Sequence, residues 1–158
     1  MRKNLLMVSL AACCAIVLST SVALAGENWL GTWKLDVAKS KDSPGPGAKS
    51  YMLKFEATPA GIKLTSDGVL ADGKAVHGEY VSKFDGKDVP WAGNPEADVA
   101  SPKKIDDNSY ENTWKKGGKV TIVAKVVVSK DGKTLTVTQT GTNSKGQAVN
   151  NTGVYDKQ

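Results

Sequence analysis

Three glycines, Gly118, Gly132 and Gly146, follow one another at a constant spacing of 14 residues. A strand of about ten residues and a tight turn fill that interval, and repeating it makes a meander of hairpins. The same turn chemistry stands at Asp67-Gly68, Asp72-Gly73, Asp85-Gly86, Gly117-Gly118, Asp131-Gly132 and Lys145-Gly146. Between turns the residue types alternate. Val120, Ile122, Ala124, Val126 and Val128 share one face of 119–129, opposite Lys119, Thr121, Lys125 and Ser129. Leu135 and Val137 oppose Thr134, Thr136, Thr138 and Thr140, while Tyr51, Leu53 and Phe55 alternate with Met52, Lys54 and Glu56. Tyr110, Asn112 and Trp114 alternate with Glu111, Thr113 and Lys115. A period of two, apolar on one face and polar on the other, marks antiparallel strands wetted on one side.

These segments predict strands near 30–36, 51–58, 61–66, 75–84, 87–91, 109–116, 119–129, 133–142 and 147–156, with weaker extended structure near 99–105. The fold class is therefore all-β, and long regular hairpins favour a single antiparallel up-and-down β-barrel of about eight to ten strands over a sandwich. A membrane barrel would carry the opposite pattern, apolar outside and polar within; here the polar face is rich in lysine. Two stretches interrupt the rhythm and are expected at a barrel rim. One is Ser43-Pro44-Gly45-Pro46-Gly47, and the other runs from Val89 through Trp91 to Pro102.

The N-terminus is set apart. Met1-Arg2-Lys3-Asn4 is basic, Leu5 to Val22 is apolar, and small residues stand at Ala23 and Ala25. Residues 1–25 read as a secretory signal peptide, with export to a periplasm or the medium as the expected outcome. A lipoprotein signal ending at Cys13 is the alternative, although the residues after Cys13 stay apolar. No membrane span is expected, because a stop-transfer flank is missing. Cys13 and Cys14 both fall in the signal, so the barrel domain, residues 26–158, has to be stable without disulfides and without thiolate chemistry. Removing Arg2 and Lys3 from the 21 basic residues leaves 19 against 16 acidic ones, and all 19 are lysine. Arginine is the usual partner of phosphate and carboxylate, so its absence argues against nucleic acid and against acidic ligands.

Gly31-Thr32-Trp33-Lys34-Leu35 near the expected mature start resembles the opening strand of the calycins, the superfamily of lipocalins and fatty-acid-binding proteins. Thr152-Gly153-Val154-Tyr155-Asp156-Lys157 is similar to the last strand of fatty-acid-binding proteins. The resemblance covers about a dozen residues at the two ends and implies a lipocalin-like barrel, here of a bacterial exported type, with Trp33 as the plug of its closed end. In the fatty-acid carriers an Arg-x-Tyr pair on the last strand holds the ligand carboxylate. In this chain Tyr155 matches the tyrosine, but Gly153 stands at the arginine position, and the helical lid gives way to the Pro-Gly loop. The resemblance thus implies the barrel and not fatty-acid carriage.

Catalytic, metal and cofactor sites are not expected. His77, the only histidine, shares a strand face with Glu79, but such sites need more convergent groups than one pair. Asp106 and Asp107 sit beside Asn108, a composition that favours turns, and read as turn formers. The inward face of a barrel would present Trp33, Tyr51, Leu53, Phe55, Ile62, Leu64, Tyr80, Phe84, Tyr110, Trp114, Val120, Ile122, Leu135, Val137 and Tyr155, with Asn112, Gln139 and Asn151 among them. An apolar interior carrying a few amides and phenols suits a small neutral, largely apolar ligand, and Tyr80, Asn112, Trp114, Gln139, Asn151 and Tyr155 are the expected contacts. Trp91 is expected at the rim or as a cap on the core. The alternative is a filled barrel that binds a protein partner through its loops, as an inhibitor would. Oligomeric state is not legible.

Overall fold

The computed structural model describes residues 27–158. The expected signal peptide, residues 1–25, lies outside the described residues, and Cys13 and Cys14 with it. The described chain forms ten strands: β1 (Gly31–Leu35), β2 (Ser50–Thr58), β3 (Gly61–Val69), β4 (Ala75–Ser82), β5 (Val89–Pro90), β6 (Val99–Asp106), β7 (Ser109–Lys116), β8 (Lys119–Val128), β9 (Thr134–Thr142) and β10 (Ala148–Lys157). No helix occurs among the described residues.

The sheet order is β4-β3-β2-β1-β10-β9-β8-β7-β6-β5, antiparallel throughout. Every neighbour is also a neighbour in sequence except β1 and β10, which join the two ends of the meander, Trp33 opposite Lys157 and Leu35 opposite Tyr155. That pairing leaves β4 and β5 as the edges. They meet at a narrow seam where Glu79 and Ala92 exchange backbone hydrogen bonds of 3.0 and 3.1 Å. Below it, Gly86 N–H donates to Pro102 O and Lys104 N–H to Phe84 O. The result is a nearly closed up-and-down barrel, which leaves little of the unpaired strand edge that invites aggregation.

Strand limits agree closely with the sequence pattern, with instructive exceptions. The expected strand over 87–91 shrinks to Val89–Pro90, since proline has no N–H for a ladder. The weak segment near 99–105 is a full strand whose pattern is obscured by Pro102, Lys103 and Lys104. Val120 is a correction: expected on the inward face, it is 59% exposed. The ladder shifts register between Trp114 and Lys115, from Trp114 opposite Ile122 to Lys115 opposite Val120. β8 thus carries one extra residue, Thr121, and the alternation resets at the rim.

One end of the barrel is solid. Trp29 and Trp33 are completely buried, with Phe55, Phe84, Tyr110 and Leu135 around them. The Trp33 indole N–H donates to Trp29 O at 2.7 Å. Trp29 stacks on Phe84 at 5.9 Å and meets Tyr110 edge-on at 5.4 Å. Lysines cover this plug from outside: Lys157 Nζ lies 5.0 Å from the Trp33 ring and Lys104 Nζ 5.8 Å from Trp29. Gly31 makes the cover possible. Its φ of 120° suits glycine, and a Cβ there would come within 3.2 Å of Lys157 Cε.

Candidate functional site

The other half of the barrel is hollow, and the inward residues explain why. Going up β3 from the plug they run Ile62, Leu64, Ser66; on β8, Val128, Val126, Ala124; on β10, Tyr155 then Gly153. Above the plug, Ser66, Ala124 and Gly153 replace larger inward residues and the interior beside them is left open, with Ile122 next along β8 in its wall. A cavity of about 360 Å³ results, within the span of roughly 300–1,000 Å³ usual for small-molecule sites. Leu53, Leu64, Ile122, Val126 and Val137 form its apolar wall. The interior is therefore neither wholly packed nor wholly open; the aromatic plug fills one half and the cavity the other.

Three loops frame the mouth. The Pro-Gly loop folds over it, with Pro44 and Pro46 lining the cavity. Asn151 Oδ1 accepts Ser43 N–H at 2.8 Å, and Asn150 N–H donates to Ser43 O at 2.9 Å. On the far side, the segment after β5 brings Asn94, Pro95 and Glu96 to the rim. There the Glu96 carboxylate accepts both the N–H and the hydroxyl of Ser144, at 2.8 and 3.1 Å, tying this loop to the β9–β10 turn.

The residues expected to meet a ligand separate into groups. Asn112, Trp114, Gln139, Asn151 and Tyr155 line the cavity. Trp91 also lines it, from deeper than a rim position: it is 6% exposed, edge-on to Tyr80 at 5.1 Å and to Trp114 at 5.0 Å. Tyr80 lies behind Trp91 rather than on the cavity surface, and its hydroxyl accepts from Asn112 Nδ2 at 3.4 Å. Asn112 Oδ1 in turn accepts Ser101 N–H at 3.1 Å. The amides of Asn151 and Gln139 bond to each other at 3.2 Å, so part of their polar demand is met within the protein. Trp33 is in the plug, away from the cavity.

Burial sets the electrostatics. The phenols of Tyr155, Tyr110, Tyr80 and Tyr51 all have pKa values raised above the ordinary tyrosine value, primarily because burial penalises the phenolate. They remain neutral hydroxyls at ordinary pH. The indole N–H groups of Trp91 and Trp114 are buried and have no acceptor among the described residues. Two carboxylates, Asp42 and Glu96, line the cavity; no lysine does. Burial raises the Asp42 pKa.

Outside the barrel, His77 Nδ1 pairs with Asp67 at 2.7 Å, whereas Glu79 pairs with Lys63 at 2.6 Å. The two face solvent with separate partners. Asp106 Oδ1 accepts Asn108 N–H at 2.8 Å, as a turn former does. Among the described residues no three His, Cys, Asp or Glu side chains converge.

Sequence reasoning missed Trp29, which doubles the plug, and the rim carboxylates Asp42 and Glu96. Trp29 carried a signal, four residues before Trp33 on the way into β1. Asp42 carried none, because its place over the cavity depends on how the Pro-Gly loop folds. Gly153 is explained: a Cβ there would lie 2.9 Å from Tyr155 Cε2, so the Tyr155 ring occupies the space a longer side chain would need.

No protein-family model and no curated protein matches the sequence. Among solved structures, the chain is similar to the zebrafish ileal bile acid-binding protein crystallised with cholic acid, with a TM-score of 0.45 and 10% identity, covering 83% of this chain and 99% of that one.

Proposed function

We propose that this barrel binds a small, largely apolar, non-acidic molecule in its upper cavity and holds it without chemical change. The observation that carries the reading is the cavity itself, about 360 Å³ with an apolar wall and no basic residue in its lining. Apolar burial at about 25 cal/mol per Å² supplies the affinity, and neutral hydroxyls such as that of Tyr155 supply orientation. The neutral ligand expected from the sequence is the simplest member of this class. The alternative, a filled barrel that binds a protein partner through its loops, is disfavoured by the hollow interior.

Native mass spectrometry of protein purified without denaturation tests the reading. The expected result is a ligand-bound mass, or an apoprotein that takes up neutral apolar compounds with a change in tryptophan fluorescence. A protein that carries nothing and responds to nothing in a broad panel overturns it.

Residues 1–25 serve, in this proposal, as a cleaved signal that exports the barrel to a periplasm or the medium. N-terminal sequencing of the exported protein should begin at Gly26. A lipid-modified start at Cys13 would instead support the lipoprotein alternative.

A further inference from the structure

We infer that the ligand of this cavity is an amphiphilic organic cation, its apolar body inside the barrel and its amine or quaternary ammonium held at the mouth by the Asp42 carboxylate. The inference rests on the proposal that the cavity binds a small molecule, and it specifies the charged end of that molecule.

The sign of the lining is the first argument. The chain has 21 basic and 16 acidic residues, yet the charged residues lining the cavity are the acids Asp42 and Glu96. The missing arginines, which speak against an acidic ligand, do not speak against a basic one. Of the two acids, Glu96 is engaged by Ser144. Asp42 has no hydrogen bond or ion pair of its carboxylate among the described residues, although it stands beside Leu35, Pro44 and Pro46 in the cavity lining. An exposed carboxylate with no protein partner, at the edge of an apolar cavity, is free to pair with a cation at the mouth.

The second argument is the aromatic surroundings. Asp42 is near enough to the Tyr155 phenol that its charge opposes formation of the phenolate. Tyr51, Tyr155, Trp91 and Trp114 all contribute to the same lining, and aromatic faces attract ammonium groups.

The placement is also favourable. Asp42 is exposed at the mouth, so a bound ammonium keeps part of its hydration while its hydrocarbon chain is enclosed. This arrangement avoids the large cost of burying a bare charge.

Isothermal titration with three probes of matched chain length tests the inference: decyltrimethylammonium, 1-decanol and decanoate, each below its micellar concentration. The ammonium should bind about tenfold tighter than the alcohol, equivalent to about 1.4 kcal/mol, and the decanoate weakest. Asp42→Asn should abolish that preference, the ammonium then binding no tighter than the alcohol. Asp72→Asn, at the same end but outside the cavity lining, should retain it. Equal affinities for ammonium and alcohol, or equal effects of the two substitutions, overturn the cation assignment and leave small-molecule binding standing. Failure of all three probes overturns both.

Discussion

Trp91 and Trp114 meet edge to face at the cavity wall, their ring centroids 5.0 Å apart and their planes at 82°. One comes from the segment after β5 and the other from β7, and both line the cavity. Trp91→Ala should lower stability by about 3–5 kcal/mol, as for other buried tryptophans. Urea unfolding measures this. Trp91→Phe should cost less and reduce any ligand-dependent change in fluorescence to the share reported by Trp114. A nearly neutral Trp91→Ala would show that the side chain is a rim residue after all.

At the opposite end, Trp33→Phe keeps an aromatic ring, smaller than the indole, and deletes the donor to Trp29 O. The buried carbonyl is then unpaired, which should cost roughly 1–3 kcal/mol. Because Trp33 is not part of the cavity lining, ligand affinity should stay within a factor of about two. Thermal unfolding together with ligand titration separates the two effects. Loss of affinity without loss of stability would contradict the division into plug and cavity.

All four tyrosines, Tyr51, Tyr80, Tyr110 and Tyr155, have raised pKa values, with burial the largest cause. In the unfolded chain they ionise near the ordinary value of 10.0. Above that pH the folded state retains protons that the unfolded state releases, so stability falls as pH rises. The stability is fully present below pH 10 and declines at up to about 1.4 kcal/mol per pH unit for each phenol. Tyrosinate absorbance and circular dichroism should therefore change together in one alkaline transition. Ionisation near pH 10 with the fold intact would refute the burial of these rings.

The seam between β4 and β5 is joined by the Glu79–Ala92 bridge, whereas β9 and β10 pair over nine registered positions, from Ala148↔Thr142 to Asp156↔Thr134. Amide hydrogens of Glu79 and Ala92 should exchange faster than those in the centre of β9 and β10. Hydrogen exchange followed by NMR checks this, and uniform protection around the barrel would argue against a weak seam. Ligand binding should slow exchange at Ala92, since Trp91 beside it lines the cavity.

Much of the architecture was legible because strand patterns are local. Ile122, Ala124, Val126 and Val128 are buried as their alternation requires, and Gly132 and Gly146 have the positive φ values their turns demand. The candidate site was legible in part. Aromatic and amide residues on inward faces pointed to Asn112, Trp114 and Tyr155, but the same pattern included Tyr80, which Trp91 screens from the cavity. It also included Val120, because a register shift in β7–β8 leaves no mark in a period of two.

By itself, the sequence determined the strands, their inward faces and the large residues that form the plug, since these follow from turn chemistry and from the two-residue repeat of a pleated chain. Tertiary structure alone decided that Trp29 joins Trp33, that the upper half stays empty and that Asp42 stands over the opening. Those outcomes depend on side chains from strands distant in sequence, brought to one level by the β1–β10 pairing and by the fold of the Pro-Gly loop. Volume and charge inside a barrel are sums over its whole circumference, and no single segment contains them.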